Sequence, residues 1–194
     1  PEALQFVLNE GRALFSDGPV LALYLRPGLT LPETDRPVIR HSLTLDLRGT
    51  MATALRLLPD TRRVYVVSDV HPRHKMYEAQ ARQDFKEWEE RLEFRYLSDR
   101  PLADTLATVA GAPPGTIVLY IAVVVDITGK VHNPLEVAQR LSRESRVPVF
   151  GLLDIFLGRG IVGGSLGSFE QTGIQARRLA LDLLREPGPL QRGG

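Results

Sequence analysis

The chain has 194 residues, a length that allows one ordinary domain or two small lobes. Of these residues 43% are hydrophobic, so a sizeable core can form. A formal net charge of +1 provides no overall field that would draw the chain to nucleic acid or to anionic lipid. The absence of cysteine excludes a disulfide framework and a thiolate-ligated metal, and no apolar run reaches the ~18 residues that cross a bilayer.

Helix and strand patterns alternate from the amino terminus onward. Residues 3–15 repeat apolar side chains at helical spacing and predict an amphipathic helix, and residues 20–25 form a short apolar run between turn residues, as in a buried strand. Residues 38–45 predict a second strand. Asp46 then stands at the N-cap position of a helix that ends at Pro59.

Four regularly spaced strand and helix units follow. Strands are predicted at residues 64–68, 93–97, 116–124 and 147–150. Helices are predicted near residues 74–91, from Pro101, from Pro134 after the cap Asn133, and over residues 170–185. Strands that are apolar along their whole length belong in a parallel sheet covered on both faces by the connecting helices. The pattern therefore predicts an α/β fold with doubly wound parallel sheets.

Aspartates follow three of the four strands, at the edge of a parallel sheet where ligands bind. Asp69 follows the first of these strands, Asp126 the third and Asp154 the fourth, and we take all three as candidate ligand contacts. The alternative for Asp69 and Asp126 is that each caps a helix or a turn, which is the commonest role of aspartate at such points. Asp154 could likewise cap the short segment after it.

Residues 151–170 are rich in glycine, with glycines at positions 158, 160, 163, 164 and 167. Because glycine has no Cβ, the backbone there can turn sharply and approach a ligand or another surface closely. The segment therefore predicts one wall of a binding site, and tight connections within the chain are the alternative.

Two histidines three residues apart, His71 and His74, lie beside Arg73 and Lys75 at a predicted helix start. A metal would need a third ligand that the spacing does not supply. Basic groups at the positive end of a helix dipole favour an anion or plain solvation. We assign no role to His41 or His132.

Motifs of common catalytic sites are absent from the sequence: there is no phosphate-binding loop, no nucleophile elbow and no H-E-x-x-H. Residues 158–163 fit G-x-G-x-x-G by letter, but they do not open a strand and helix unit. A hydrolase or transferase would need a nucleophile and a base at the strand ends, where the sequence offers aspartates alone. We expect no catalytic residue, no metal and no cofactor.

Residues 147–164 (VPVFGLLDIFLGRGIVGG), with Gly173 and the helix over residues 176–184, resemble the periplasmic substrate-binding-protein-like sensor domain of bacterial two-component histidine kinases. Further segments resemble the same family, at residues 3–7, 18–21, 54–67 and 113–119. The resemblance covers nearly the whole chain. It implies two lobes of the type I periplasmic-binding class, a ligand cleft between them and no catalysis.

The resemblance implies a first lobe from residues 1–43 plus 147–194, incomplete at its amino-terminal end, and a second lobe from residues 44–146. The family's cleft positions then fall on Ser42, Asp69, Asp126 and Asp154, together with Leu157, Gly158 and Gly160. Two positions depart from the family: Leu153 stands where an aromatic residue is usual, and Val125 where an arginine is usual.

The expected function is that of an extracytoplasmic sensor domain of a histidine kinase, which closes on a small polar or anionic metabolite. The alternative is the solute-binding protein of an ABC importer. We expect a location on the periplasmic side of a bacterial inner membrane, with membrane attachment through parts of the parent protein outside this chain. An incomplete first lobe would leave a strand edge exposed, at residues 20–25 or at Val149, so we also expect a homodimer.

Overall fold

The computed structural model of the chain describes residues 2–14, 18–24, 30, 34, 36–41 and 43–185. The chain divides into two compact units, one formed by Pro1–Thr44 with Ser168–Gly194 and the other by Leu45–Gly167. Each unit contains a parallel sheet with helices, so the predicted α/β fold is confirmed. No helix in the described part of the chain is both long and apolar enough to span a membrane.

The first unit contains a two-stranded parallel sheet of β1 (Val20–Leu23) and β2 (Val38–His41), with α1 (Glu2–Leu8) and α6 (Phe169–Arg185). Leu4 and Leu8 of α1 pack with Ala22 of β1 in a small buried cluster. The predicted helix over residues 3–15 is shorter than expected: α1 ends at Leu8, and a 3₁₀ turn follows at Glu10–Ala13. Asn9 and Gly11, both poor helix formers, interrupt it.

The second unit contains the strands β3 (Arg63–Val67), β4 (Glu93–Tyr96), β5 (Thr116–Tyr120) and β6 (Val149–Gly151). They form a four-stranded, fully parallel sheet in the order β4–β3–β5–β6. Its helices are α2 (Leu47–Leu57), α3 (Pro72–Asp84), α4 (Leu102–Ala110) and α5 (Pro134–Glu144). Every residue of β5 is buried, as expected of a central strand covered on both faces.

Two predicted helix caps are confirmed in this unit. The carboxylate of Asp46 accepts a hydrogen bond of 2.8 Å from the backbone N–H of Gly49 at the start of α2. The side chain of Asn133 accepts one of 3.0 Å from the N–H of Leu135, and Pro134 occupies the first turn of α5. Each cap satisfies a backbone donor that the helix itself leaves unpaired.

The strand predicted over residues 116–124 ends at Tyr120 instead. The N–H of Ile121 still donates to the carbonyl of Val67 on β3, but the N–H groups of residues 123–125 donate to side chains. The N–H of Val123 donates to the hydroxyl oxygen of Tyr120, at 3.1 Å, and those of Val124 and Val125 donate to a carboxylate described below. The apolar run therefore leaves the sheet because side chains replace the neighbouring strand as acceptors.

The division of the chain differs from the prediction at residues 147–167, which we had placed in the first lobe. β6 pairs in parallel with β5, so these residues belong to the second unit. The outer side of β6 is covered by the chain itself: Gly151 N–H donates to the carbonyl of Gly163, and Val162 N–H donates to that of Val149. The exposed strand edge that we expected at Val149 is therefore absent from these positions.

Candidate functional site

The segments that follow the four strands of the second unit lie at one edge of its sheet, which we call the carboxyl edge. They begin at Ser68 after β3, at Leu97 after β4, at Ile121 after β5 and at Leu152 after β6. Because all four strands are parallel, these segments share one end of the sheet. The three predicted aspartates all belong to them.

Asp69 is almost completely buried, with 1% of its surface exposed. Its Oδ1 accepts hydrogen bonds from the N–H of His71, at 2.9 Å, and from Nδ1 of His74, at 2.7 Å. Its Oδ2 accepts from the N–H groups of Val124 and Val125, at 2.5 and 3.0 Å. Burial alone would raise the pKa of Asp69, but the hydrogen bonds from His74 and the two backbone N–H groups outweigh it and lower the pKa.

Asp126 is also saturated by donors of its own chain. Its Oδ1 accepts from the N–H and the hydroxyl of Thr128, and its Oδ2 accepts from the N–H of Leu102, at 3.1 Å, and from Nε2 of His132, at 2.9 Å. The hydroxyl of Thr128 is the largest influence that holds the pKa of Asp126 well below its usual range. Asp126 therefore stabilises a turn and the start of α4, which is the alternative role that the sequence left open.

Asp154 differs from both. It begins a 3₁₀ turn, Asp154–Phe156, whose N-cap is Leu153 and which has no side-chain cap. Its backbone N–H donates to the carbonyl of Gly167, at 3.0 Å. The residue is partly exposed, and its carboxylate has no hydrogen-bond partner among the described residues. The capping alternative for Asp154 is not supported.

The glycine-rich segment approaches the chain's own surfaces at two points. A Cβ on Gly160 would lie 2.4 Å from the Cβ of Ser142 on α5, and one on Gly164 would lie 2.3 Å from the carbonyl oxygen of Gly151. Both glycines have positive φ, 98° and 155°. Gly158, with a φ of 73°, has nothing within 4 Å of a Cβ position, and Leu157 is 51% exposed.

Of the predicted site residues, the carboxyl edge thus includes Asp69, Asp126, Asp154, Leu157 and Gly158, while Gly160 packs against α5. Ser42 lies outside the described residues. Asp154, Leu157 and Gly158 remain accessible, whereas the carboxylates of Asp69 and Asp126 are used within the chain.

The two histidines of the helix start are both fixed by hydrogen bonds. His71 caps α3 through Nδ1, which accepts from the N–H of Arg73 at 3.3 Å, and Pro72 occupies the first helical position. The rings of His71 and His74 lie 5.2 Å apart, centroid to centroid. No group of three or more metal-binding side chains occurs in the described part of the chain, so the metal hypothesis for this pair gains no support.

Sequence reasoning missed a buried carboxylate on α3, Glu78, which is 4% exposed. It accepts hydrogen bonds from Ser68, at 2.9 Å, and from Arg82, at 2.8 Å, and Lys75 lies 3.6 Å away. Burial would raise its pKa, and hydrogen bonds from Ser98, Arg82 and Ser68 outweigh burial and lower it. The helical spacing of Lys75, Glu78 and Arg82 was a signal for this network, whereas Ser68 comes close only through the fold.

His132, to which the sequence assigned no role, binds Asp126 and is 11% exposed on its side chain. It follows a tight turn in which the N–H of Gly129 donates to the carbonyl of Asp126. That turn returns the chain and brings His132 back beside Asp126. The Asp-x-x-Gly spacing was the signal that could have indicated the turn.

No family model matches the chain, and no curated protein matches it. Several solved structures are similar in fold, and two of them follow. One is the ligand-free, open structure of CD0873, a substrate binding protein with adhesive properties from Clostridium difficile, with a TM-score of 0.60, 12% identity, and coverage of 92% of this chain and 61% of that one. The other is a conserved domain protein from Vibrio cholerae O1 biovar El Tor, with a TM-score of 0.54, 13% identity, and coverage of 78% and 49%.

The chain thus spans 61% and 49% of the length of these two proteins. At such low identity the likeness concerns the fold alone. The fold of this chain is therefore α/β with parallel sheets, similar to that of a substrate binding protein.

Proposed function

We propose that the chain is a non-catalytic ligand-binding domain, which binds a small polar or anionic molecule at the carboxyl edge of its second unit. The observation that carries this proposal is the carboxylate of Asp154, which lacks a hydrogen-bond partner among the described residues. This aspartate lies at the carboxyl edge of a fold that is similar to that of a substrate binding protein.

The saturated aspartates support this proposal indirectly. Asp69 joins the segment after β3 to the segment after β5, and Asp126 joins the segment after β5 to the start of α4. These bonds hold the carboxyl edge in one conformation before a ligand arrives, and a rigid site loses less entropy on binding. Asp154 then supplies an acceptor for hydroxyl or amino groups of the ligand.

The finer assignment is the extracytoplasmic sensor domain of a two-component histidine kinase, at the periplasmic side of a bacterial inner membrane. Its support is the resemblance of residues 147–164 to that family. The alternative is the solute-binding protein of an ABC importer, and its support is the likeness in fold to CD0873, which is described as a substrate binding protein. In the parent gene, a transmembrane segment followed by a kinase dimerisation helix would identify the sensor.

Two further expectations stay predictions within this proposal. One is closure of two lobes on the ligand, a population shift that requires a ligand with different affinities for the two states. The other is a homodimer formed through the first unit. The basis for the dimer is the two-stranded sheet of β1 and β2, because the other edge that we expected to be exposed, at β6, is covered by the chain itself. Light scattering at tens of micromolar would measure the dimer mass directly.

A thermal-shift screen against amino acids, sugars, purines and carboxylates tests the proposed function. A ligand at 100 times its dissociation constant should stabilise the fold by about 2.7 kcal/mol. Asp154→Asn should weaken the hit, whereas the control Asp60→Asn, on an exposed residue before β3, should leave it unchanged. A screen without any hit, or a hit with equal affinity for both variants, would contradict the proposal.

A further inference from the structure

A buried hydroxyl on α2, that of Thr50, holds the segment after β6. Thr50 is 0% exposed, and its Oγ1 accepts a hydrogen bond of 2.9 Å from the N–H of Ser165. The same hydroxyl donates to the carbonyl of Ser165, at 3.3 Å. A threonine inside a helix commonly donates to the carbonyl four residues earlier in that helix, whereas this hydroxyl binds outside its own helix. One side chain thus pairs both backbone groups of Ser165, as a neighbouring strand would.

Two further features keep the same segment close to α2. Oγ of Ser165 donates to Oδ2 of Asp46, at 2.7 Å, while Oδ1 of Asp46 caps the helix through Gly49. A Cβ on Gly164 would lie 3.0 Å from Oγ1 and Cγ2 of Thr50, so the backbone at residue 164 lies directly against this threonine. Asp46 is exposed and Thr50 is enclosed, so water weakens the bond to Asp46 more than the bonds to Thr50.

The segment that Thr50 holds is bonded in turn to the backbone of Asp154. The N–H of Asp154 donates to the carbonyl of Gly167, at 3.0 Å, and the N–H of Gly167 donates to the carbonyl of Leu152, at 2.8 Å. Because Gly167 follows Ser165 by two residues, the position of its carbonyl depends on where Ser165 is held. These bonds place the backbone from which the carboxylate of Asp154 extends.

We propose that Thr50 is a positioning residue of the ligand site: through Ser165 and Gly167, its hydroxyl sets the position of Asp154. The inference rests on the proposed function, in which Asp154 contacts the ligand. The hydroxyl of Thr50 is fully buried, and Ser165 uses it both as a donor and as an acceptor, so Thr50 acts through this segment and not as a ligand contact. A binding group is effective only where the residues behind it hold it in place.

Hydrogen exchange of backbone amides, followed by NMR, tests these contacts without a ligand. Thr50→Val keeps the shape of the side chain and removes the hydroxyl. The amide of Ser165 should then exchange roughly tenfold faster, because the loss of one hydrogen bond makes local opening easier. The amides of Gly167 and Asp154 should also exchange faster. Thr50→Ser restores a hydroxyl at this position, so its exchange should match that of the wild type.

Thr61 provides a matched control for the loss of a buried hydroxyl. It is 8% exposed, and its Oγ1 donates to the carbonyl of Leu58, at 2.7 Å. Thr61 lies just before β3, at the opposite edge of the same sheet. Thr61→Val therefore removes a comparable hydroxyl from the second unit, and it should leave the exchange of the Asp154 amide unchanged.

Ligand binding separates a positioning role from general stabilisation. The probe is the strongest hit of the thermal-shift screen, measured by isothermal titration calorimetry. Thr50→Val should weaken its binding roughly three- to tenfold, the equivalent of one hydrogen bond, and Thr50→Ser and Thr61→Val should not weaken it. Because Thr50 acts through Asp154, the double variant Thr50→Val with Asp154→Asn should lose less affinity than the product of the two single fold-changes.

Unchanged exchange of the Ser165, Gly167 and Asp154 amides in Thr50→Val would overturn the inference, as would two losses of affinity that multiply fully in the double variant. If Thr50→Val does not fold, the wild type decides: binding of the hit should slow the exchange of the Ser165 and Gly167 amides, and unchanged exchange would contradict the inference.

The proposed function fails separately from this inference. A hit that Asp154→Asn weakens and Thr50→Val does not weaken leaves the proposed function standing and removes Thr50 from the site. If the screen finds no ligand, the proposed function fails, while the exchange of the three amides still shows whether Thr50 holds Asp154 in place.

Discussion

Three segments follow the neighbouring strands β3, β5 and β6 of one sheet, and each contains an aspartate. These aspartates differ in their burial and in their hydrogen-bond partners. Asp69 and Asp126 are buried and accept four hydrogen bonds each from their own chain. Asp154 is partly exposed, and its carboxylate has no hydrogen-bond partner among the described residues.

The difference shows that the hydrogen-bond donors around an aspartate at a strand end determine its role. A buried carboxylate without donors would be strongly unfavourable, so Asp69 and Asp126 are stable where they are because the chain supplies N–H and O–H groups. Asp69 and Asp126 hold the carboxyl edge together, and Asp154, which is partly exposed, is the ligand contact that we propose.

The largest effect on folding should come from Asp69→Ala. The substitution removes the acceptor of four donors, two of which belong to the segment after β5. With about 1–3 kcal/mol for each buried donor left unpaired, and partial relaxation, we expect a loss of roughly 3–5 kcal/mol in the free energy of unfolding. Urea denaturation measures it. A loss below about 1 kcal/mol would mean that Asp69 does not hold the two segments together.

Two glycines of the segment after β6 should separate close packing from backbone strain. Gly164→Ala places a Cβ 2.3 Å from a backbone oxygen, so something must shift, and we expect a loss of roughly 2–4 kcal/mol. Gly158→Ala meets nothing within 4 Å and carries only the strain of its positive φ, about 1–2 kcal/mol. Chemical denaturation of both variants measures the difference. Equal losses would argue against the close approach at Gly164.

Acid should reveal how much the two saturated aspartates contribute to stability. The pKa values of Asp69 and Asp126 are lowered in the folded chain, so each contributes stability that is fully present above the unfolded pKa, near 3.9, and is lost as the pH falls through the folded value. The free energy of unfolding should therefore decrease below about pH 4. In Asp69→Asn and Asp126→Asn this decrease should be smaller than in the wild type. Urea denaturation at pH values between about 2.5 and 6 measures the decrease, and an equal decrease in all three proteins would contradict the account.

Much of the architecture could be predicted because it depends on local signals. Apolar runs located the four strands, and the side chains of Asp46 and Asn133 marked helix starts through caps that involve neighbouring residues. The end of β5 could not be predicted, because it depends on Asp69, which meets the N–H groups of Val124 and Val125 only in the folded chain. The placement of β6 depended on strand pairing over about 30 residues, which no local pattern encodes.

The site divides in the same way. The sequence located three aspartates at the carboxyl edge, and it left open for each whether it binds a ligand or caps its own chain. The role of each aspartate depends on hydrogen bonds between residues that are far apart in the sequence, such as the bond from the N–H of Val125 to Asp69. The bond from Ser68 to Glu78 escaped notice for the same reason, since the two residues meet only in the folded chain, whereas the turn that places His132 beside Asp126 had a local signal.

Isothermal titration calorimetry of Asp154→Asn, with the best hit of the thermal-shift screen, tests the central claim most directly. The substitution should change the free energy of unfolding by no more than about 0.5 kcal/mol, the smallest of these effects, because it removes no hydrogen bond between described residues. It should weaken the binding free energy by about 1–3 kcal/mol, the value of a hydrogen bond to a charged group. An unchanged affinity in a variant that folds like the wild type would remove Asp154 from the site and contradict the account.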